Sequence, residues 1–391
     1  MKWTLKETPE GFPAVPRLLD LRALLSKKSH FLLGPRQTGK SFLIRATLGD
    51  VPLYDLLDTS VYLDLSRDPG RLGRELKPST RLVAIDEIQR LPDLLNEVHR
   101  LIETKGVRFL LTGSSARRLR GGGVNLLGGR ARTRYLHPLT WKELGDHFDL
   151  SRATTRGTIP SIYFSDDHRA DLAAYAGTWL QQEIVAEAAT RSVPAFSRFL
   201  GVAAHCNGTI VNFTNVAGDA QVPRTTVYEY FEILKDTLVL HEVPAWRKSR
   251  KRKPLASSKY YFFDVGVAST LQGREAQPGT PEYGLALETW VLHELRAWSD
   301  YGSGEAISFW RSASGFEVDF IIGDHTAIEV KAGRSIGERD LRSLRALGDE
   351  KKMKRLICVC LETRPRREGA IQVMPVEHFL GALWGNRFGS R

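Results

Sequence analysis

The sequence has 391 residues and a net charge of +11, which suits two or three domains and predicts a polyanionic partner. A generally basic cytoplasmic protein is the alternative. Three cysteines, Cys206, Cys358 and Cys360, fit neither a disulfide framework nor a zinc site, and are expected to be core thiols.

The N-terminal segment lacks an apolar signal core, and no uncharged apolar run approaches the length of a membrane span. We therefore expect a cytoplasmic protein that does not contact membranes.

The first predicted element is a phosphate-binding loop between an apolar strand and a helix. The segment HFLLGPRQTGKSFLIRATL contains G-x-x-x-x-G-K-S. Its glycines let backbone N–H groups face phosphate, its lysine supplies a cation, and its serine supplies a hydroxyl for Mg²⁺. We predict that ATP and Mg²⁺ bind here, through Gly34, Pro35, Arg36, Gln37, Thr38, Gly39, Lys40 and Ser41.

A second motif, RLVAIDEIQRLP, places Asp86 and Glu87 at the end of an apolar strand. In P-loop ATPases an aspartate at this position holds Mg²⁺, and the glutamate after it polarises the attacking water. An ordinary acidic pair at a strand end is the alternative, but its distance from the P-loop favours the catalytic assignment.

The segments LLGPRQTGKS, AIDEIQRLPDLLNEVHRLIE, FLLTGSS and LLGGRARTRYLHPLTWKELG resemble prokaryotic AAA-type ATPases related to the archaeal MNS group. The resemblance covers nearly the whole chain. It implies that Ser114 senses the γ-phosphate. It also implies that Arg130 or Arg132 acts as an arginine finger in a homo-oligomer, for example a hexameric ring. A solvated or nucleic-acid-facing basic loop is the alternative for these arginines.

The N-terminal part, residues 1–145, is predicted to have an α/β fold with the doubly wound sheet of a P-loop NTPase. Helices are expected between strands near 30–34, 61–65, 82–86, 107–112 and 134–137. A helical connector or lid is expected over residues 146–192.

Residues 193–272 have the pattern of a winged helix. In FTNVAGDAQVPRTTVYEYFEILKDTLVLHEVPAW, Thr214 is a candidate cap of a short helix, Gly218-Asp219 a break, and Pro223 the first turn of the next helix. That helix has an apolar face formed by Val227, Tyr230, Phe231 and Leu234. Two strands around the basic segment RKSRKRKP, residues 247–254, would form the wing.

The expected partner of this segment is duplex or branched DNA. The second helix would enter a groove and the basic loop would neutralise phosphates. From Pro194 to Phe263 there are ten Lys and Arg against five Asp and Glu. The candidate contacts are Arg224, Thr225, Thr226, Tyr228, Arg247, Lys248, Arg250, Lys251, Arg252 and Lys253. A winged helix used for protein contacts is the alternative.

In the last part, FWRSASGFEVDFIIGDHTAIEVKAG predicts two strands around a turn at Gly323-Asp324. Asp319, Glu329 and Lys331 form D-x(9)-E-x-K, and a period of two places the glutamate and the lysine on one face. The carboxylates could share Mg²⁺, or Mn²⁺ instead, and Lys331 could orient or deprotonate water. A surface ion pair between Glu329 and Lys331 is the alternative.

Glu288 lies on the apolar face of the helix predicted for GLALETWVLHEL, where a carboxylate needs a partner, and the metal site would supply it. A helix glutamate, a strand aspartate and E-x-K resemble PD-(D/E)XK nucleases. We therefore expect a nuclease-like α/β domain over residues 273–391.

The predicted function is ATP-dependent DNA binding and processing, as in repair or recombination. ATP hydrolysis would be coupled to remodelling, translocation or cleavage of duplex or branched DNA, with Mg-dependent deoxyribonuclease activity as a further expectation. One alternative is a nucleotide-dependent switch or scaffold in defence or regulation, with an inactive nuclease fold. A DNA-dependent ATPase with a dead nuclease fold is intermediate.

Overall fold

The computed structural model describes residues 7–8, 11–115, 117, 126–179, 192–248 and 257–389. No helix in these ranges combines the length and the apolar character that crossing a membrane requires. The helices are Leu21–Leu25 (α1), Lys40–Leu48 (α2), Thr59–Arg67 (α3), Arg71–Glu75 (α4), Leu94–Lys105 (α5), Trp141–Leu144 (α6), Leu150–Arg156 (α7), Pro160–Tyr163 (α8), His168–Ala173 (α9), Val193–His205 (α10), Phe213–Ala220 (α11), Arg224–Asp236 (α12), Val265–Gln272 (α13), Pro281–Trp298 (α14), Arg342–Gly348 (α15) and Val376–Trp384 (α16).

The N-terminal part contains a five-stranded parallel sheet in the order β2-β3-β4-β1-β5. β1 is buried along its whole length, as expected of a parallel strand covered on both faces. Polar residues follow the carboxyl ends of β1, β3 and β4, and these ends lie at one edge of the sheet. The strands are Ser29–Leu33 (β1), Leu53–Asp55 (β2), Leu82–Asp86 (β3), Arg108–Gly113 (β4) and Ala131–Tyr135 (β5).

The strand predicted at 61–65 is wrong, because this segment belongs to helix α3. The Asp58 carboxylate caps the helix by accepting hydrogen bonds from the N–H groups of Ser60, at 2.8 Å, and Val61, at 3.4 Å. The five residues of VYLDL fit the period of a helix as well as that of a strand, so the Asp58 cap decides in favour of the helix. β2 supplies the missing strand, and β5 begins three residues earlier than predicted.

Residues 193–262 form three helices, α10 to α12, and an antiparallel sheet of Thr209–Ile210 (β6), Leu240–Val243 (β7) and Lys259–Phe262 (β8), in the order β6-β8-β7. Their order along the chain is helix, strand, two helices and two strands. The predicted apolar face of α12 is confirmed, since all four of its residues are buried.

Three local predictions in this region are wrong. Asn212, rather than Thr214, caps α11, and its side-chain oxygen accepts from Thr214 N at 3.0 Å. The helix continues through Gly218-Asp219 and ends at Gln221, whose backbone is left-handed with φ of 54°. Pro223 is the N-cap of α12 rather than part of its first turn.

The last part of the chain contains a six-stranded mixed sheet in the order β13-β14-β12-β11-β10-β9. α14 and α16 pack on one face, and α15 packs on the other with the buried side chains of Cys358 and Cys360. Both thiols are free and buried, which confirms them as core residues. The strands are Ile307–Arg311 (β9), Glu317–Ile322 (β10), Thr326–Val330 (β11), Arg355–Cys360 (β12), Arg366–Glu368 (β13) and Ile371–Pro375 (β14).

The end of β7 joins the small antiparallel sheet to the edge of the six-stranded sheet. Ala245 forms a bridge with Phe309 on β9, and Trp246 N donates to the Phe309 carbonyl at 2.6 Å. The Trp246 indole is buried, and its Nε1 donates to Asp324 Oδ1 at 2.9 Å. The stem of the β7–β8 hairpin is therefore fixed to the C-terminal sheet.

Candidate functional site

The P-loop connects β1 to α2, as predicted. Gly34 lies so close to the chain after β5 that an added Cβ would be 2.3 Å from the Leu136 carbonyl oxygen. Gly39 has φ of 90°, which favours glycine. Both predicted glycines are therefore required by the backbone, and the loop forms a concave surface at the N-terminus of a nine-residue helix.

Lys40 points into this loop. Its ammonium donates to the carbonyls of Gly34 at 2.7 Å and Pro35 at 2.9 Å, and its side chain is buried. Phosphate oxygens would offer the ammonium stronger, charge-assisted partners than these carbonyls. Lysine is thus already positioned where the outer phosphates of ATP would bind.

Asp86 and Glu87 lie at the end of β3, next to β4. Thr112 donates a short hydrogen bond to the Asp86 carboxylate, and its hydroxyl accepts from Glu87 N at 3.2 Å. Glu87 has a left-handed backbone with φ of 58°, which turns the chain just after the strand. Sequence reasoning missed Thr112, although it is the residue of β4 that this turn contacts.

Gln89 connects two of the predicted catalytic residues and was also missed. Its side-chain amide donates a short hydrogen bond to Glu87 Oε2 and a second one, at 3.1 Å, to Ser114 Oγ. The 3-10 turn Ile88–Arg90 brings Gln89 back over the strand ends. An added Cβ on Gly113 would lie 2.6 Å from Gln89 Oε1, so a larger residue there would shift the Gln89 amide. The glutamine in the segment D-E-I-Q was the sequence feature that could have indicated this residue.

A cavity of about 520 Å³ opens beside the P-loop. Its wall includes Phe12 and Phe164, whose rings are stacked with centroids 5.8 Å apart, together with Phe42 on α2. Flat apolar walls next to a phosphate loop suit the base of a nucleotide.

The buried side chain of Arg17 contacts the P-loop. Its guanidinium donates to the carbonyls of Thr38 and His137, both at 2.6 Å, and to Glu143 Oε1 at 3.0 Å. The side chains of Arg17 and Glu143 are both buried, so each charge needs the other to balance it. No local pattern around Arg17 indicated this role, because its partners are 21 to 284 residues away in the chain.

The predicted arginine fingers lie on or near β5, at the edge of the parallel sheet. Arg130 forms an ion pair with Glu103, and Arg132 is exposed. Their action on a neighbouring copy stays a prediction.

The predicted DNA contacts on α12 lie together at its N-terminus. Arg224 and Thr225 are exposed and Thr226 is half-buried. The Arg224 guanidinium donates to Tyr228 Oη at 3.0 Å, and Tyr228 stacks on Phe213 with ring centroids 4.1 Å apart.

On the hairpin, Arg247 and Lys248 are exposed, and Lys248 forms an ion pair with Asp324 at 2.5 Å. The other predicted contacts, Arg250, Lys251, Arg252 and Lys253, lie outside the described residues.

The predicted metal ligands of the last part belong to one group of buried and half-buried carboxylates, here named the carboxylate cluster: Glu288 on α14, Glu317 and Asp319 on β10, and Glu329 on β11. The predicted hairpin turn at Gly323-Asp324 is confirmed, and Phe320 pairs with Ile328, which brings Asp319 beside Glu329. Asp319 Oδ2 accepts from the Val330 N–H at 2.8 Å. Lys331 forms an ion pair with Glu329 at 2.6 Å.

Sequence reasoning missed the cation at the centre of this cluster. Lys259, the first residue of β8, places its ammonium 2.5 Å from Glu317 Oε1, 3.4 Å from Glu288 Oε1 and 4.0 Å from Asp319 Oδ1. Tyr261, on the same strand, donates to Glu288 Oε1 at 2.5 Å.

Burial dominates the electrostatics of the cluster. Burial and the nearby charge of Asp319 raise the pKa of Glu288 to about 7. Burial also raises the pKa of Asp319 and, more strongly, that of Glu329, whose Oε2 has no hydrogen-bond partner among the described residues. Burial alone would lower the pKa of Lys259, but the surrounding carboxylates raise it above its usual range.

These residues do not fit a divalent ion while Lys259 lies among them. No group of three or more Asp, Glu, His or Cys within the described ranges is placed to hold a metal. The unpaired oxygen of Glu329 is the one feature that would suit an ion. Sharing of Mg²⁺ or Mn²⁺ by Glu288, Asp319 and Glu329 therefore stays a prediction, and no chemical step is derived from it.

Comparison with known families divides the chain into three. Residues 26–145 match the AAA domain, residues 147–278 match a domain of unknown function (DUF8612), and residues 283–379 match a domain of unknown function (DUF4143). Relatives include Uncharacterized protein Mb2031c of Mycobacterium bovis and Uncharacterized protein Rv2008c of Mycobacterium tuberculosis. Each is 28% identical over 311 residues, which is 77% of this chain and 69% of the relative. With the P-loop geometry above, the match shows that the N-terminal part is an AAA-type P-loop ATPase domain.

Proposed function

We propose that this protein hydrolyses ATP at the P-loop and couples hydrolysis to remodelling of, or movement on, duplex or branched DNA. The observation that carries the ATPase half is the convergence of Lys40, Asp86, Glu87 and Ser114 at one edge of the parallel sheet. The helix-and-hairpin order of residues 193–262 supports a winged helix as the DNA-binding part.

The residues around the P-loop have distinct roles in this proposal. Lys40 would exchange its two carbonyl partners for phosphate oxygens, and the helix N-terminus would bind the same anion. Ser41 and Asp86 would hold Mg²⁺, which supplies charge neutralisation at the transferring phosphate. Glu87 would orient the attacking water, and Ser114 would contact the γ-phosphate.

The DNA half rests on charge and exposure. The exposed N-terminus of α12 presents Arg224 and Thr225, and the exposed Arg247 and Lys248 lead into the basic loop. Groove insertion of a helix N-terminus and phosphate contacts from a basic hairpin are the two interactions that winged helices combine on DNA.

One experiment tests both halves. We would measure ATP hydrolysis with and without linear, single-stranded and branched DNA, and the binding of each DNA. The samples are the unaltered protein, Lys40→Ala and Arg224→Ala. We expect DNA to stimulate hydrolysis, Lys40→Ala to abolish it, and Arg224→Ala to weaken DNA binding roughly tenfold. Arg71→Ala, an exposed arginine on α4, is the matched control. Hydrolysis that DNA does not stimulate, together with no measurable DNA binding, would contradict the DNA part of the proposal. The proposed ATPase activity would be unaffected.

A second candidate is a nucleotide-dependent switch or scaffold with an inactive nuclease fold. The position of the Lys259 ammonium among three carboxylates favours it. DNA cleavage in Mg²⁺ or Mn²⁺, measured in the same samples with Glu329→Ala as the control, distinguishes the candidates. Cleavage that Glu329→Ala removes would contradict the inactive fold.

A further inference from the structure

Lys259 is a buried charge in a strand that is otherwise apolar. β8 reads Lys-Tyr-Tyr-Phe, all four side chains are buried, and the Lys259 side chain is 3% exposed. An ammonium removed from water is stable only when opposite charges and hydrogen-bond acceptors surround it. The environment of Lys259 therefore has to be a built cation site.

The structure supplies that site from three elements. Carboxylate oxygens of Glu317 and Asp319 approach the ammonium from β10, and Glu288 approaches it from α14. The Phe309 ring centroid lies 5.5 Å from Nζ, and the ring adds a cation–π contact. The charge of Lys259 is therefore balanced by residues of the C-terminal part, although Lys259 itself lies on the β7–β8 hairpin.

Two of the three predicted metal ligands, Glu288 and Asp319, already face the ammonium. A metal ion and an ammonium at such distances repel strongly in a buried site, so the two cations exclude each other. Lys259 is part of the chain, so its ammonium lies close to the carboxylates whenever β8 is paired with β7. A free ion loses translational entropy when it binds, which favours the ammonium.

We propose that Lys259 is the resident cation of the carboxylate cluster, and that the cluster binds a divalent ion only when Lys259 is absent from it. This inference deepens the second proposed function, the switch or scaffold with an inactive nuclease fold. It rests on that function only for its biological meaning. It assigns the cluster to an ammonium rather than to a metal.

The test compares Lys259→Met with the unaltered chain in nucleotide-free buffer. All samples carry Asp86→Asn, so that Mn²⁺ binding at the P-loop does not contribute. Melting temperature and Mn²⁺ binding by electron paramagnetic resonance are followed as MnCl₂ is added. Lys105→Met, an exposed lysine on α5, is the matched control.

We expect Mn²⁺ to leave the melting temperature of the parent and of Lys105→Met unchanged. Lys259→Met should melt lower without metal and regain about 5 °C with Mn²⁺. Adding Glu288→Gln to Lys259→Met should remove that gain.

An equal Mn²⁺ response in the parent and in Lys259→Met would overturn the proposal. If Lys259→Met does not fold, Mn²⁺ binding by the parent decides: the proposal requires no binding, and binding that Glu288→Gln removes overturns it. DNA cleavage in Mn²⁺ is measured on matching samples with Asp86 intact, so a failure of the second proposed function is detected separately.

Discussion

At the scale of single residues, the ATPase centre depends on a side chain that carries no charge. Gln89 joins Glu87 to Ser114, so the residue that would orient water and the residue that would sense the γ-phosphate share one amide. Rotation of that amide would change both hydrogen bonds together. We therefore expect Gln89 to position both side chains.

Replacement of Gln89 by leucine should lower kcat for ATP hydrolysis by about 10- to 100-fold, because Glu87 and Ser114 lose their common donor. The KM for ATP should change little, since none of the hydrogen bonds described for Gln89 involves the P-loop. Steady-state kinetics measure both constants. Gln272→Leu, a half-buried glutamine on α13, is the control. A raised KM with unchanged kcat would place Gln89 in ATP binding instead.

The P-loop and the β10–β11 hairpin were predictable because each depends on residues close together in the chain. The G-x-x-x-x-G-K-S spacing defines one turn, and the alternation around Gly323-Asp324 defines one hairpin. Arg17 and Lys259 were not predictable in this way. Their charges are balanced by residues that only the tertiary fold brings near, so no local pattern marks them.

At the scale of elements, Glu294 on α14 joins three helices. Its two carboxylate oxygens accept from Trp141 N on α6 and from Trp384 Nε1 on α16, both at 2.7 Å. Burial raises the pKa of Glu294 to about 8, despite these two donors. The ATPase part and the C-terminal part are thus held together by a carboxyl group that is mostly protonated below neutral pH.

This shift predicts a pH dependence of stability. The folded pKa lies above the unfolded value, so the stabilising effect of Glu294 is fully present at low pH and is lost as pH rises from about 4.5 to 8. The melting temperature of the unaltered protein relative to Glu294→Gln should therefore fall between pH 5 and pH 8. The control is Glu75→Gln on the surface, where the hydrogen bond from Arg71 lowers the pKa, so its difference should be constant in this range. A constant difference for Glu294→Gln would contradict the assignment.

The misplaced strand at 61–65 and the misplaced cap at Thr214 are failures of the same kind. A short apolar segment satisfies two periods, and neighbouring polar residues, Asp58 and Asn212, compete to start a helix. Hydrogen bonds from side chain to backbone settle both cases, over distances of two or three residues. Such bonds depend on geometry that spacing alone leaves open.

At the scale of the whole molecule, a buried polar path runs from the P-loop to the C-terminal part. Arg17 contacts the Thr38 carbonyl and the Tyr301 hydroxyl, and that hydroxyl also accepts from His137 N at 3.1 Å. Asp300, in the π-helical turn Ser299–Ser303 after α14, bonds to the His137 imidazole at 2.7 Å. Movement of the P-loop on ATP binding would therefore reach the end of α14.

Replacement of Tyr301 by phenylalanine should lower the melting temperature by a few degrees, because the His137 N–H would lose its acceptor in a buried position. The stabilisation that ATP confers should also decrease, since Arg17 loses a partner. Thermal melting with and without ATP measures both effects. Tyr54→Phe is the control, because the Tyr54 hydroxyl contacts only an exposed glutamate, Glu75, among the described side chains. Equal melting curves for Tyr301→Phe and the unaltered protein would exclude this path.

The pairing of Ala245 with Phe309 has a consequence for how the chain can be divided. A fragment that begins at residue 273 would expose the edge of β9 and leave the Trp246 pocket empty. It would also remove the only lysine that β8 contributes to the carboxylates of Glu288 and Glu317. Exchange of the C-terminal part between relatives should therefore preserve function only when the β7–β8 hairpin is exchanged with it.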